Sequence, residues 1–239
     1  MDKFALEYLK KTKKDFNNDG WWGKSAFELS KDINKKWLKE HNENDDYWNI
    51  LYGDIVKNPN NFENKTALDF GCGFGGNIKN LSTITNWSKL YGCDIAPSFV
   101  EISKDYLNCS NILNFDIFEI NGYDLSYLNN ESIDFVTSIV VLQHIALYQI
   151  RFKILKEFFR ILKIDGHLSF QMNMDSGIDY YSEKFDVDIY TRPNCRVLHS
   201  NQVIDDLVKI GFNRNLISYT FSSNPLGKNG KWIYVKAYK

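Results

Sequence analysis

An apolar segment that runs directly into closely spaced glycines constrains the fold of this chain more than any other feature. Residues 66–70 read Thr-Ala-Leu-Asp-Phe, and glycines follow at positions 71, 73, 75 and 76. Glycine permits the sharp backbone turn that joins a strand to a helix, and it leaves room for a ligand to approach the main chain. In open α/β sheets, ligands bind beyond the carboxyl ends of the strands. The segment therefore predicts the first strand, turn and helix of such a sheet.

Strand-like and helix-like segments alternate after residue 65, which is typical of a parallel sheet covered by helices on both faces. The predicted strands are 66–70, 89–93, 111–115, 133–139, 167–173, 216–221 and 231–238, and the clearest helices are 150–163 and 200–210. The last two strands follow each other like a hairpin. We therefore predict an α/β fold with a Rossmann-like, mixed seven-stranded sheet that is mostly parallel and has an antiparallel C-terminal strand.

The first sixty residues differ from the rest, since they are polar, irregular and rich in tryptophan and tyrosine. The segment Asn58-Pro59-Asn60-Asn61 is typical of a turn. We predict an N-terminal helical cap over residues 1–60 and one main domain over residues 61–239. A long polar and aromatic stretch at about residues 174–198 is expected to form an insert on the substrate side.

The charge balance excludes a general attraction to nucleic acid or to an anionic membrane. The 239 residues include 29 Lys and Arg against 30 Asp and Glu, for a net charge of -1. No apolar run approaches the roughly 20 residues that a membrane span needs. The four cysteines form no CxxC pair and have no histidine at metal-ligand spacing, so we expect reduced thiols, no metal site and a cytoplasmic protein.

Acidic residues accompany the glycine turn at the ends of the first three predicted strands, namely Asp69, Asp94 and Asp116. Gly71, Gly73 and Gly76 fit the G-x-G-x-x-G pattern of a dinucleotide site, and Asp94 follows the second strand, where a carboxylate accepts the protons of ribose hydroxyls. Asp69 is awkward beside a pyrophosphate but suits a cofactor that carries an amine. These residues alone leave open a nicotinamide cofactor, an adenosyl cofactor, or a tight turn with helix caps that binds nothing.

Five motifs in order resemble those of class I S-adenosylmethionine-dependent methyltransferases. The resemblance covers about residues 65–173, and its motifs are residues 68–75, 92–95, 114–117, 133–145 and 160–168. Residues 164–166 depart from the family pattern, because they read Ile-Asp-Gly where Pro-Gly-Gly is usual. That turn is remote from the cofactor. The resemblance implies a methyltransferase whose cofactor is S-adenosylmethionine.

The resemblance also implies which residues hold the methionine and ribose parts of that cofactor. The backbone of Gly71, Cys72 and Gly73 approaches the methionine moiety, and Asp69 orients its ammonium group directly or through water. Asp94 holds the ribose hydroxyls.

The adenine side of the cofactor is assigned in the same way. The resemblance implies that Ile95 packs on the adenine, and that Asp116 and Ile117 contact the edge of the adenine that carries the amino group. Asp116 is predicted to close the third strand. The loop that begins near Val140 is implied to lie beside the sulfonium methyl group.

The acceptor side offers His144 as the candidate general base. It follows the fourth strand, and a neutral imidazole removes a proton effectively near pH 7. The alternative is that His144 only orients a loop or the substrate, and His199 is a second candidate base. The candidate substrate-binding residues are Trp22, Asn173, Asp175, Tyr180, Tyr181, Arg192 and His199. The alternative for the segment after the fifth strand is a surface lid that only packs, and the alternative for Trp22 is the core of the cap.

These observations predict transfer of a methyl group to a hydroxyl of a small polar metabolite, such as a sugar or a surface-glycan precursor. No separate substrate domain or basic stripe favours DNA, RNA or protein as the acceptor. The family's Asn-Pro-Pro-Tyr loop, which marks base or glutamine amino groups as acceptors, is absent, and residues 138–141 read Ser-Ile-Val-Val. The alternatives are an N-methyltransferase of a small amine, an NAD(P)-dependent oxidoreductase and a binding module without turnover. Oligomeric state stays open.

Overall fold

The computed structural model describes residues 3–17, 45–175, 177–183, 195–223 and 231–239. The chain divides into two compact units, residues 1–122 and residues 123–239. The predicted boundary of an N-terminal cap near residue 60 stays a prediction. The substrate candidates Trp22 and Arg192 lie outside the described residues.

The first unit contains three parallel strands joined by helices. Strand β1 pairs with β2 and β2 pairs with β3, and a helix makes each crossover, as parallel pairing requires. The elements are α1 (Lys3–Asn17), α2 (Asp45–Lys57), a 3₁₀ helix (Pro59–Phe62), β1 (Thr66–Phe70), α3 (Gly76–Ile84), β2 (Lys89–Asp94), α4 (Pro97–Cys109) and β3 (Phe115–Glu119).

The second unit contains the remaining strands. Strand β4 pairs with β5 in parallel, β5 pairs with β9 in antiparallel, and β9 pairs with β8 in antiparallel. The elements are β4 (Ile133–Ser138), a 3₁₀ helix (Leu142–His144), α5 (Tyr148–Ile161), β5 (Leu162–Asn173), β6 (Ile178–Asp179), β7 (Cys195–Arg196), α6 (Ser200–Ile210), a 3₁₀ helix (Arg214–Leu216), β8 (Ile217–Ser223) and β9 (Lys231–Tyr238).

The large sheet has seven strands in the order β3-β2-β1-β4-β5-β9-β8. Strand β9 runs against its neighbours β5 and β8. The predicted Rossmann-like fold, mostly parallel with an antiparallel C-terminal strand, is confirmed. No helix of the described ranges is both long enough and apolar enough to cross a membrane.

Gly92 in the middle of β2 lets α3 pack closely against the sheet. A Cβ atom at this position would lie 2.4 Å from Cδ1 of Ile78 and 2.6 Å from Cδ1 of Ile117. Both isoleucines are fully buried. The absence of a side chain at Gly92 therefore sets the distance between β2 and the helix that follows the glycine turn.

Arg160 explains the basic motif that ends α5. Its guanidinium donates hydrogen bonds to the carbonyl oxygens of Leu125 and Leu128, to the side chain of Asn130, and to the carboxylate of Glu157. Lys163 pairs with Asp134 at 2.8 Å. These contacts fix the segment that leads into β4, so the motif serves the fold of the second unit.

Strand β3 begins four residues later than the sequence predicts. Asn111 has a left-handed backbone with φ of 57°, and the backbone N–H of Ile112 donates to the carbonyl of Leu107 at 3.1 Å. Ile112 is therefore buried as part of the end of α4 rather than as the first strand residue. The predicted strand 111–115 was wrong in register along the chain, because a helix stop was taken for the start of a strand.

Candidate active site

The glycine turn after β1 is held against the end of β2 by the main chain. The N–H groups of Gly71 and Cys72 both donate to the carbonyl of Cys93, at 2.8 and 3.0 Å. Gly71 and Gly73 have φ values of 73° and 50°, a region that other residues rarely adopt. No described atom lies within 4 Å of a Cβ built on Gly73. The turn thus leaves open space beside exposed backbone, as a site for a ligand requires.

Asp94 ties this turn to the helix that follows β2. Its Oδ2 accepts from the N–H of Gly73 at 3.1 Å, and its Oδ1 accepts from the N–H of Ala96 at 2.9 Å. Burial raises the pKa of Asp94 to about 6, although hydrogen bonds from backbone N–H groups oppose the shift. Each carboxylate oxygen accepts more than one hydrogen bond, so Asp94 retains capacity for hydroxyl donors. The alternative of a helix cap and the predicted ligand contact are therefore compatible.

Asp69 is a fully buried acid of the first unit whose only polar contact among the described residues, with the side chain of Asn77, falls short of normal hydrogen-bond geometry. It is 1% exposed, and neither carboxylate oxygen has a partner of normal hydrogen-bond geometry among the described residues. Burial raises the pKa of Asp69 to about 7, while the side chain of Asn77 lowers it and the charge of Asp94 raises it. A buried carboxylate without partners is costly. An ammonium group of a ligand is the chemistry that would satisfy it.

Asp69 makes the stability of the ligand-free protein depend on pH. Its pKa of about 7 lies above the ordinary value of 3.8, so between these values the native state holds a proton that the unfolded chain has lost. The free energy of unfolding therefore falls as the pH rises, by about 2 kcal/mol from pH 5.5 to pH 8. Asp69→Asn removes this contribution. Urea denaturation of both proteins at pH 5.5 and pH 8 checks it, and equal pH dependence in wild type and variant would contradict the assignment.

Cys72 and Ile95 lie on either side of these acids. Cys72 is buried, its sulfur is 3.0 Å from where a Cβ of Gly92 would stand, and burial raises the pKa of its thiol well above the usual range. A protonated thiol in this place does not act as a nucleophile. Ile95 is half-buried, and its Cδ1 would be 2.9 Å from a Cβ on Gly122. Leu9 of α1 approaches the same glycine, at 2.7 Å from that Cβ position.

Asp116 and Ile117 do not lie at the carboxyl end of β3. Asp116 is opposite Tyr91 inside the paired region, and Ile117 is opposite Gly92 and fully buried. The prediction that Asp116 closes the third strand was wrong, because the strand continues to Glu119. Asn121, a residue outside the predicted site, stands two positions beyond that end and beside Gly122. Its signal was the Asn-Gly pair at the true end of the apolar run.

The segment after β4 carries His144. Val140 has a φ of 58°, which is strained for a β-branched residue, and a 3₁₀ helix follows over Leu142–His144. The backbone N–H of His144 donates to the carbonyl of Val141 at 2.8 Å. The side chain of Gln143 accepts a hydrogen bond at 3.2 Å from the side chain of Gln171 in β5, and both residues are buried. His144 therefore adjoins a pair of buried, neutral amides.

Two of the predicted substrate residues lie at the end of β5. Asn173 is buried, its Oδ1 accepts from the N–H of Asp175 at 3.2 Å, and its carbonyl accepts from the N–H of Val197. Asp175 is exposed. Asn173 and Asp175 are thus adjacent, as their spacing implies, and they follow the same strand that carries Gln171.

Tyr180 has a structural place that the sequence did not predict. It is fully buried, its hydroxyl donates to Asp206 at 2.8 Å, and Arg151 lies over its ring at 5.0 Å. This commitment of the hydroxyl argues against its predicted contact with substrate. The neighbouring Tyr181 is exposed, its ring packs against those of Tyr148 and Tyr180, and its hydroxyl is 3.5 Å from the carbonyl of Gln202.

His199 precedes α6 and is exposed. Its backbone N–H donates to Oε1 of Gln202 at 3.3 Å, so the residue takes part in the start of the helix. A metal-binding group of three or more His, Cys, Asp or Glu side chains does not occur in the described part of the chain.

A family model described as "Methyltransferase domain" matches residues 68–170. The match begins in β1 and ends in β5, and it includes the glycine turn, Asp94 and His144. Residues 68–170 therefore match a methyltransferase domain, in keeping with the resemblance that the sequence motifs show. No curated protein matches the chain.

Solved structures of other proteins share the fold of this chain. A SAM-dependent methyltransferase from Aquifex aeolicus has 18% identity and a TM-score of 0.51, over 83% of this chain and 97% of its own. One from Methanosarcina mazei has 18% identity and a TM-score of 0.59, over 76% of this chain and 96% of its own. Phosphoethanolamine N-methyltransferase 2 from Haemonchus contortus, in complex with phosphomonomethylethanolamine and S-adenosylhomocysteine, has 17% identity and a TM-score of 0.58, over 74% of this chain and 49% of its own.

The residues of the first unit fit S-adenosylmethionine, the cofactor that the resemblance implies. The uncompensated carboxylate of Asp69 suits an ammonium group, the free acceptor capacity of Asp94 suits hydroxyl groups, and the open space at Gly73 admits a ligand against the main chain. The fit rests on three independent features of the described residues.

Proposed function

We propose that the protein transfers a methyl group from S-adenosylmethionine to a hydroxyl of a small polar metabolite. The observation that carries this proposal is the position of His144, a group able to take a proton near neutral pH, next to the buried neutral amides Gln143 and Gln171. Neutral hydrogen-bonding groups suit a neutral hydroxyl. A cationic amine acceptor would be better served by buried carboxylates.

The first unit is proposed to hold the cofactor through four groups. Asp69 binds the ammonium of its methionine part, the backbone at Gly71 and Gly73 faces the same part, and Asp94 accepts from the ribose hydroxyls. Cys72 contributes its backbone to this turn. These roles are supported by the buried carboxylate of Asp69 and by the open backbone at Gly73.

The adenine is proposed to lie near Ile95 and the end of β3. Ile95 offers an apolar surface, and Asn121 replaces Asp116 as the polar residue beyond the strand. An asparagine side chain both donates and accepts, so it can pair with an amino group and with a ring nitrogen. The place of Val140 beside the cofactor's methyl group stays a prediction.

The chemical step needs alignment and the removal of one proton. When bound, the cofactor supplies a methyl group that its sulfonium has already activated. His144 takes the proton of the acceptor hydroxyl while the oxygen forms its bond to the methyl carbon and the carbon–sulfur bond breaks. The protein otherwise acts by holding the acceptor in line for the displacement.

A metabolite screen tests the proposed reaction. Purified protein is incubated with S-adenosylmethionine that carries a deuterated methyl group and with a metabolite extract, and products are sought by mass spectrometry. We place sugars and surface-glycan precursors first in a defined panel, because residues 174–198 are polar and aromatic. The expected product carries the label on oxygen. Cofactor binding without any labelled product would instead favour a binding module.

An amine acceptor is the second candidate. It is favoured by the fold likeness to the phosphoethanolamine N-methyltransferase, whose structure contains phosphomonomethylethanolamine. Fragmentation of the labelled product separates the two, because methyl groups on nitrogen and on oxygen give different fragments.

A cytoplasmic location is also part of the proposal. The four free cysteines support it, because thiols stay reduced in that compartment.

A further inference from the structure

A buried amide oxygen in the second unit has no partner. Gln171 is 0% exposed, and its Nε2 donates to Oε1 of Gln143, but its own Oε1 has no hydrogen-bond partner among the described residues. A buried acceptor left unsatisfied costs on the order of 1–3 kcal/mol. Such a group in a native protein calls for a donor, which ordered water or a bound molecule can supply.

A guanidinium without partners lies on a neighbouring element. Arg196 in β7 is half-buried, its Nε is enclosed, and none of the described residues offers it a hydrogen bond or an ion pair. The other described arginines are engaged, for example Arg214 with Asp205 at 2.9 Å and Arg160 with Glu157. A partly buried guanidinium is suited to a carboxylate or phosphate, which it binds through two parallel hydrogen bonds.

One short element brings these two groups into the same region. The 3₁₀ helix Leu142–His144, which carries Gln143, packs against both β5 and β7. The N–H of Val197, directly after Arg196, donates to the carbonyl of Asn173 at 2.9 Å, two residues beyond Gln171. The elements that carry the unsatisfied acceptor, the unpaired cation and His144 therefore meet at this helix, beside the carboxyl ends of β4 and β5.

We propose that the methyl acceptor carries an anionic group, a carboxylate or a phosphate, that Arg196 binds, together with a hydroxyl or N–H donor that Gln171 binds. This inference rests on the proposed function, since it names the class of its acceptor. A hydroxy acid or a phosphorylated sugar has both groups. Arg196 sets the charge that the site selects, and Gln171 selects for a donor within the same molecule.

Direct binding of small anions tests the charge selection without turnover. Inorganic phosphate, acetate and glycolate are titrated at constant ionic strength into protein saturated with S-adenosylhomocysteine, and heat is recorded. We expect the wild type to bind phosphate or the carboxylates, and Arg196→Met to weaken that binding by about tenfold or more, equal to about 1.4 kcal/mol. The affinity of Arg196→Lys should lie between those two, because lysine keeps the positive charge but lacks the paired N–H donors of a guanidinium. Arg214→Met is the matched control and should bind as the wild type does.

The amide is tested by the difference between two acids. Glycolate carries a hydroxyl that acetate lacks, so the wild type should prefer glycolate, and Gln171→Leu should remove that preference while Gln149→Leu keeps it. Gln171→Met replaces Gln171→Leu if the latter fails to fold. Equal anion binding by wild type and Arg196→Met, or no anion binding by the wild type, overturns the inference. Failure of the wild type to bind S-adenosylhomocysteine would instead overturn the proposed function. In that case the anion titrations are repeated on the unliganded protein, and they still decide whether Arg196 binds an anion.

Discussion

Replacing Asp94 with alanine lowers the affinity for S-adenosylhomocysteine by about two to four orders of magnitude. The carboxylate is proposed to accept two ribose hydroxyls, and a hydrogen bond to a charged group contributes about 1.5–3 kcal/mol. Loss of both, about 3–6 kcal/mol, corresponds to roughly 100-fold to 10,000-fold in the dissociation constant. The change also frees the N–H groups of Gly73 and Ala96, which Asp94 holds in the ligand-free protein. Isothermal titration calorimetry measures the affinity.

Two further variants separate the ribose contact from the support of the turn. Asp94→Asn keeps an acceptor oxygen for one backbone N–H, so it should fold as the wild type does and still lose most of its affinity. Asp105→Ala removes an exposed acid from α4 and should leave the affinity unchanged. An Asp94→Ala protein that binds as tightly as the wild type would remove Asp94 from the cofactor site.

Replacing His144 with glutamine lowers kcat by about a hundredfold or more, as expected for the loss of a general base. Glutamine keeps a hydrogen-bonding group of similar length but takes no proton at neutral pH. The acidic limb of the pH profile of kcat should disappear with the histidine, because that limb reports its protonation. Steady-state kinetics at several pH values, with the acceptor found by the metabolite screen, provide the measurement.

The affinity for S-adenosylhomocysteine serves as the internal control for His144→Gln. It should not change, since His144 is proposed to act on the acceptor. A positioning role would lower kcat at every pH and leave the shape of the profile intact. Retention of both the rate and the acidic limb would rule out His144 as the base.

The fold was predicted where local patterns and tertiary packing agree. Strands β1 and β9 and helix α6 have the predicted bounds, because glycine or polar turns delimit clear apolar periodicities. The prediction of strand β3 was four residues too early along the chain. Ile112 is buried because it packs at the end of α4, and not because it belongs to the strand. A helix end and a strand start both present an apolar residue after polar ones, and the sequence alone does not separate them.

The sequence predicts the cofactor part of the candidate site best, because each of its acidic groups lies at the end of one strand. Asp69 and Asp94 follow from the glycine turn and the second strand, and both are buried as such roles require. Tyr180 was assigned to the substrate because aromatic residues in a polar segment suggest a pocket, but its hydroxyl is satisfied by Asp206, 26 residues away in the chain. Arg196 was missed for the same reason, since its lack of a partner depends on contacts between distant segments.

Val140 gives the acceptor side a property that the rigid strands lack. A valine held with φ of 58° stores conformational energy, of order 1–3 kcal/mol, in the loop that leads to Gln143 and His144. The strain is confined to the backbone of this one residue, so a substitution there can relieve it without altering the sheet. Glycine adopts this φ without strain, so Val140→Gly would release that energy within the loop and leave the strands of the sheet in place.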